Sequence, residues 1–195
     1  MFETIPTVTR ALLIANGAAY LMQLLIGNWL VALFALWPPG SGWFMPWQLV
    51  TYAFLHGGLY HLLFNCLALY MFGADVERVF GHSRFLNFYF VCVISAAAMQ
   101  LLFSLLRGGP PVPTVGASGG VFGVLLAFGM LFPNRMILLI FPPIPMKAWV
   151  FVTLYGVIEL VLGVTGTAAG VAHFAHLGGM LGGFLMLRHY ASRRR

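Results

Sequence analysis

Two short segments carry residue types that could do chemistry together. Ser118 lies in the small-residue run Gly116–Gly120, at the start of an apolar segment, and His176 lies in the last apolar segment. At a helix N-terminus, unpaired backbone N–H groups and the positive end of the helix dipole favour developing negative charge. Histidine is the side chain that most often acts as a general base. The pair therefore indicates a serine nucleophile activated by an imidazole, with an oxyanion held nearby.

Glycines at helical spacing surround both residues. They are Gly116, Gly119 and Gly123 near the serine, and Gly179 and Gly183 after the histidine. Small residues on one face let two membrane helices approach closely, so we expect this contact to bring Ser118 within hydrogen-bond reach of His176. The alternative is that Ser118 is only one more small residue in a helix-packing seam.

The second apolar segment carries further polar residues. It opens with His56, and His61 and Asn65 share one helix face at i and i+4. Both side chains could donate hydrogen bonds to an oxyanion. Equally, they could form polar contacts between helices that hold a bundle together. On these residues alone, both interpretations stay open.

Of the two histidines in the last segment, we favour His176 as the base. His173 lies on the same helix face, one turn nearer the outside, but Met180 follows it at i+7. The glycines that permit a close approach follow His176 instead. We therefore give His173, like His56, a supporting place near the site.

Acidic residues are few, and three of the four lie far from this pair: Glu3, Asp75 and Glu77. Only Glu159, near the outer end of the fifth apolar segment, could compete for the third place of a triad. A dyad suffices when packing, rather than an acid, orients the imidazole. Phe122, one turn after Ser118, could provide an aromatic platform for that ring. We therefore expect a Ser-His dyad without a carboxylate.

The composition places the elements that hold these residues in a lipid bilayer. The chain has 195 residues, of which 61% are hydrophobic and 7% charged, and its mean hydropathy is +0.94. That leaves too little polar surface to cover a soluble globule. The net charge is +6, but the basic residues form no stripe on a polar helix, which argues against a nucleic-acid partner.

Six apolar segments are predicted to span the membrane: residues 11–35, 57–75, 85–106, 118–132, 148–163 and 171–189. A spanning helix takes about 20 residues, so six spans with short loops use nearly the whole length. We therefore expect one domain over residues 1–195. With both termini in the cytoplasm, every lysine and arginine except Arg107 lies on the cytoplasmic side, in accord with the positive-inside rule. We therefore predict a multi-pass protein of the cell (inner) membrane whose first apolar segment is retained.

Two connecting segments are unusual. The outer loop, residues 36–55, is uncharged and rich in tryptophan and proline, which predicts that it lies in the membrane interface. Segment 118–132 rises only about 22 Å, against roughly 30 Å of hydrocarbon. Three prolines, Pro110, Pro111 and Pro113, precede it, and irregular chain is tolerated at membrane depth only around a cavity. We therefore expect Ser118 below the outer surface, beside a cavity.

Taken together, these segments resemble the rhomboid family of intramembrane serine proteases. The matching motifs are Gly116–Gly119, His176–Gly179 with Gly183, His61–Asn65 and Gly73–Arg78, in order along the chain. The resemblance runs from about Trp47 to Gly183 and fits the compact six-span bacterial type. Two positions depart from the family pattern: Gln48 follows Trp47 where many rhomboids have arginine, and Phe122 stands where some have tyrosine.

The resemblance implies an all-α membrane protein, a six-transmembrane-helix rhomboid bundle with an interfacial outer loop after span one. It implies a Ser118/His176 dyad, and an oxyanion site built from His61, Asn65 and the backbone N–H of Ser118, with no cofactor. The implied activity is a serine endopeptidase that cleaves transmembrane segments near the outer face. Because a helix hides its carbonyls, we expect single-pass membrane protein substrates with helix-destabilising residues near the cut.

Two other classes of protein fit part of the same pattern. One is a non-catalytic membrane adaptor of rhomboid-like fold, although such a protein has no need of both Ser118 and His176. The other is a membrane metal-binding protein with four histidines around one ion, His56, His61, His173 and His176. The sequence contains no His-Glu-x-x-His motif in support of metalloprotease chemistry, and we expect no metal.

Overall fold

The computed structural model describes residues 5–138, 143–167 and 170–192. Its helices are α1 (Thr7–Ile26), α2 (Asn28–Phe34), α3 (Gln48–Thr51), α4 (Leu59–Ala68), α5 (Ala74–Phe80), α6 (His82–Arg107), α7 (Ser118–Leu131), α8 (Ala148–Thr165) and α9 (His173–Ser192). A 3₁₀ turn, Tyr52–Phe54, follows α3, and a π-helical turn, Leu69–Gly73, joins α4 to α5. Two short antiparallel strands, β1 (Met136–Leu138) and β2 (Pro145–Lys147), precede α8. Glu3 and Arg193–Arg195, used in the sequence analysis, lie outside the described residues.

The prediction of a helical multi-pass membrane protein is confirmed. Within the described residues, four helices are long and apolar enough to cross a membrane: Thr7–Ile26, Leu59–Phe80, His82–Arg107 and Ala148–Thr165. The observed bounds of the last four predicted segments agree with the prediction within three residues. Helix α7 has only 14 residues and α9 is not among these four, so the six-span topology stays a prediction.

The first two predicted segments need correction. The run 11–35 is not one helix, because Gly27 interrupts it with a φ of +70° that separates α1 from α2. Residues other than glycine rarely adopt that conformation. The second segment continues through the π turn to Phe80, beyond the predicted end at residue 75.

A buried carboxylate explains why α1 begins as early as Thr7. Glu77, in α5, is 1% exposed and accepts the backbone N–H groups of Val8 (2.9 Å) and Thr9 (2.7 Å). The Thr9 hydroxyl donates to the same carboxylate at 2.7 Å, and Nδ1 of His82 lies 2.6 Å from its other oxygen. Negative charge at a helix N-terminus is stabilising. Glu77 therefore fixes the start of α1 against the end of α5.

Glycines bring α9 against α7 at the centre of the bundle. A Cβ atom added at Gly179 would overlap the carbonyl group of Gly119, and one added at Gly183 would lie 3.1 Å from the carbonyl oxygen of Gly123. The adjacent face of α9 contacts α6, where the Ser95 hydroxyl donates to the Gly178 carbonyl at 2.7 Å. The backbone of α9 thus lies in close contact with both α7 and α6.

The outer loop is organised by Gln48, the residue that departs from the family pattern. Its side chain is fully buried, accepts the Trp37 N–H (3.2 Å) and donates to the carbonyls of Trp43 (2.9 Å) and Leu33 (3.2 Å). An amide carries both donors and acceptors, so this glutamine joins the end of α2 to two segments of the loop. Tryptophans 43 and 47 keep 49% of their surface exposed, as suits side chains of a membrane interface.

A backbone bridge connects this loop to the segment before Ser118. The N–H of Leu36 donates to the Thr114 carbonyl, and the N–H of Thr114 donates to the Leu36 carbonyl, both at 2.9 Å. The proline-containing chain therefore has a fixed approach to α7.

The glycine contact between α7 and α9 gives a stability prediction. We expect Gly179→Ala to lower the free energy of unfolding by about 1 to 3 kcal/mol, because the new methyl group meets backbone that has no side chain to move aside. Thermal unfolding in detergent measures the effect. The matched control is Gly17→Ala in α1, where a Cβ meets nothing within 4 Å and helix propensity favours alanine. A Gly179→Ala variant as stable as this control would contradict the packing argument.

Candidate active site

Ser118 is the first residue of α7, so its backbone N–H has no acceptor within the helix. Gly116, two residues earlier, has a φ of +130° and donates its N–H to the Tyr52 carbonyl at 3.0 Å. A Cβ at Gly116 would lie 2.7 Å from Cε1 of His61. Both the backbone conformation and the lack of space therefore require glycine here, and this turn aims Ser118 into the bundle.

The structure places His176 beside the serine. Nε2 of His176 lies 2.8 Å from Ser118 Oγ, a hydrogen-bond distance. The imidazole stacks on the ring of Phe122, with centroids 4.2 Å apart and planes within 5° of parallel. Ser118 and Phe122 are one turn apart on α7, so the same helix supplies the serine and an aromatic platform that limits rotation of the His176 imidazole.

His61 and Asn65 lie on the wall of the same cavity as Ser118. Asn65 donates one amide hydrogen to the carbonyl of His61 at 2.8 Å, and Nδ1 of His61 accepts the Gly57 N–H at 3.3 Å. In the part of the chain that the structure describes, no hydrogen bond joins either side chain to Ser118. Their oxyanion role therefore stays a prediction.

His56 supports this wall from behind. Its ring meets that of His61 edge-on, with centroids 5.2 Å apart. Gln23 of α1 accepts the N–H of His56 (2.8 Å) and donates to its carbonyl (3.1 Å). Burial, together with the neighbouring His61, lowers the pKa of His56 to about 4, so its ring is neutral near pH 7.

Glu159 is the residue that the sequence analysis underestimated. Its Oε2 lies 2.7 Å from Nδ1 of His173 and 2.9 Å from Nδ1 of His176. From the sequence we expected no carboxylate well placed beside the pair, but Glu159 lies next to His176; the Ser-His dyad itself stays a prediction. A signal was available, because Gly156, Glu159 and Gly163 occupy one helix face at i, i+3 and i+7.

The same three side chains are the ones that could hold a metal ion. Ligand atoms of Glu159, His173 and His176 all lie within 4.8 Å of one another. Among the described residues, the clustered ligands include this carboxylate and two histidines, not the four histidines of the metal-protein alternative. His56 and His61 form a separate pair.

A cavity of about 1550 Å³ opens onto the pair. Ser118, His176, His61, Asn65 and Phe122 all line it, together with the proline-containing segment before α7. It has room for several residues of extended chain as well as water. The arrangement brings a hydroxyl, an imidazole and a helix N-terminal N–H group together, and these are groups that could carry out acyl transfer.

Comparison with known proteins identifies the same fold family. The Rhomboid domain family model matches residues 44–193. Rhomboid protein 1, mitochondrial, of Saccharomyces cerevisiae is 36% identical over 146 residues, which cover 71% of this chain and 40% of that protein. Rhomboid protease GluP of Bacillus subtilis is 34% identical over 140 residues, 71% of this chain and 25% of that protein.

A longer match extends over nearly the whole chain. Rhomboid protease GlpG of Yersinia pestis is 29% identical over 182 residues, 91% of this chain and 60% of that protein. This chain therefore covers less than two thirds of the length of each of these relatives. Because the family model covers more than half of the chain and includes Ser118 and His176, the chain belongs to the rhomboid family.

Proposed function

We propose that this chain is an intramembrane serine endopeptidase that cleaves transmembrane segments of client membrane proteins near the outer face. The observation that carries the proposal is the 2.8 Å contact between Ser118 Oγ and Nε2 of His176, beside a wide cavity. The relatives GluP and GlpG are named rhomboid proteases, which supports the same activity here.

The reaction would proceed through an acyl-enzyme. Ser118 Oγ attacks a peptide carbonyl of the client while its proton passes to Nε2 of His176. His176 then gives that proton to the leaving amine as the C–N bond breaks, and the acyl group stays on Ser118. Water, deprotonated by His176, hydrolyses the ester and restores the serine hydroxyl.

The oxyanion of the tetrahedral intermediate would accept three hydrogen bonds. The first comes from the backbone N–H of Ser118. Asn65 uses one amide hydrogen on the His61 carbonyl and keeps a second for the oxyanion. Because Nδ1 of His61 accepts the Gly57 N–H, the neutral ring carries its proton on Nε2. That nitrogen lies close to Gly116, since a Cβ built there would be only 2.8 Å away. Because Gly116 is two residues before Ser118, this closeness supports the proposal that His61 Nε2 reaches the oxyanion.

The proposed protein crosses the inner membrane of the cell six times, with both termini on the cytoplasmic side. The distribution of lysine and arginine supports it. The short α7 would begin below the outer surface, so water could reach Ser118 through the cavity. Clients would be single-pass proteins that enter from the bilayer and unwind locally at the cut.

One observation favours a second candidate function, metal-dependent hydrolysis or metal binding. It is the cluster formed by Glu159, His173 and His176. The test is cleavage of a model single-span substrate by purified protein in detergent or liposomes, with and without chelator. Cleavage abolished by Ser118→Ala and indifferent to chelator supports the serine mechanism, chelator-sensitive cleavage supports metal, and failure to cut varied substrates favours an adaptor.

The proposed roles predict a graded loss of activity. We expect Ser118→Ala and His176→Ala to remove cleavage, because the nucleophile and its base act as a unit whose loss costs on the order of 10⁶ in kcat in a serine protease. Asn65→Ala should cost about 10² to 10³, the usual effect of losing one oxyanion donor. Single-turnover cleavage with each variant measures the ratio. Equal losses for Asn65→Ala and Ser118→Ala would contradict the assigned roles.

Client selection is predicted to follow helix stability. A scissile carbonyl in an intact helix is hydrogen-bonded and covered, so a client span with glycine or proline near a small residue should be cut. A span of the same length built from leucine should resist cleavage. Initial rates on two substrates that differ only in these positions test the prediction, and efficient cutting of the leucine span would rule it out.

A further inference from the structure

Helix α8 presents one face of small residues to α9, and Glu159 lies in the middle of that face. A Cβ at Gly156 would lie 3.2 Å from the Met180 side chain, and one at Gly163 would lie 3.2 Å from Cβ of His173. Glycines at i and i+7 thus bring the two helices together on either side of Glu159. The carboxylate is held against the helix that carries the base.

An ionisable group at this position is costly unless it is paired. Glu159 is 8% exposed, whereas its neighbours Leu160 and Val161 keep 50% and 52% of their surface exposed on the outer side of the same helix. Acidic residues in such apolar helices are rare and usually functional. Both partners of Glu159 are histidines, and both approach the same oxygen through Nδ1.

We propose that Glu159 is a positioning residue for His176: held by His173, its carboxylate keeps the proton of His176 on Nδ1, so that Nε2 accepts the proton of Ser118. The inference rests on the proposed function and adds to it a third group and an anchor for that group. Ser118 Oγ, the ring of His176 and Oε2 of Glu159 form a continuous chain of contacts at 2.8 and 2.9 Å.

The two histidines make different contacts with the carboxylate. His173 meets Oε2 with the distance and direction of a hydrogen bond, whereas His176 meets it at 2.9 Å without that direction. His173 therefore fixes the carboxylate, and the negative charge acts on His176 mainly through proximity. Catalytic hydrogen bonds in unliganded sites are often poorly aligned and straighten when the transition state forms.

The distances favour direct pairing over a bridging metal ion. Ligand atoms around tetrahedral zinc, each at about 2.0 to 2.2 Å from the metal, lie roughly 3.3 Å from one another. Here Oε2 is 2.7 and 2.9 Å from the two imidazole nitrogens, which is closer than two ligand atoms of one zinc ion.

The titratable groups around His176 determine how the rate of substrate cleavage should depend on pH. They are Glu159 of α8, His173 of its own helix and His61 of α4, while Ser118 faces it from α7. Of these four, Glu159 alone carries negative charge when ionised. Glu159→Gln removes that negative charge from beside His176, so cleavage by the variant should persist to lower pH than cleavage by wild type.

The experiment compares wild type with Glu159→Gln in substrate cleavage and in labelling of Ser118 by a fluorophosphonate probe. We expect kcat to fall about 10- to 100-fold with KM little changed. This is less than the roughly 10⁴ lost when a triad aspartate becomes asparagine, because the Phe122 stack still orients the ring. The acid limb of the pH–rate profile should move to lower pH, because a negative charge beside His176 is lost. His173→Asn should give a smaller loss of kcat.

The matched control is Glu77→Gln, the same change at a buried carboxylate far from the serine. It should lower the melting temperature and leave the pH profile in place. Glu159→Gln with wild-type kcat, or with reduced kcat and stability but an unmoved acid limb, would overturn the positioning role. Loss of wild-type cleavage on adding chelator would overturn it in favour of a metal. If wild type neither cleaves nor labels at Ser118, the proposed function itself fails, a result distinct from the others.

Discussion

The close approach of α7 and α9 is the constraint on which the rest of the site depends. Gly179 packs against the Gly119 carbonyl with no space for a side chain, and this sets the distance between the two backbones. Ser118 and His176 project from the same two helices, so their 2.8 Å contact follows from the glycine packing. In an apolar solvent, helices gain little from burying hydrophobic side chains against one another, which leaves this backbone contact to fix the geometry.

Buried polar groups add what packing alone does not provide, a defined direction for each side chain. Glu159 contacts two histidines, one of them beside Ser118, and Gln48 hydrogen-bonds to two segments of the outer loop. The Gln48 amide and the Glu159 carboxylate are both buried and both meet polar partners, as a low-dielectric surrounding requires. Stability comes from the helix contacts, whereas these few groups select one arrangement of the site.

Much of this arrangement could be predicted from the sequence, because local spacing carries it. Glycines at i+3 and i+7 from His176 indicated which helix face meets α7, and apolar length located the last four predicted segments to within three residues. The contact of Glu159 was harder to predict: Gly156 and Gly163 indicated a close approach of this helix face, but the side chains that the carboxylate meets depend on tertiary packing, which spacing does not encode. The break at Gly27 was missed for a similar reason: hydropathy is continuous across it, and only the backbone conformation interrupts the helix.

The Glu77 cap also has a consequence for the order in which the chain assembles. The amide groups of Val8 and Thr9 find their acceptor 69 and 68 residues further along the chain. During synthesis, the first helix therefore emerges with its leading end uncapped, and it gains this partner only after Glu77 has been made. The N-terminal segment is thus fixed in place late, by hydrogen bonds to a residue that is translated well after it.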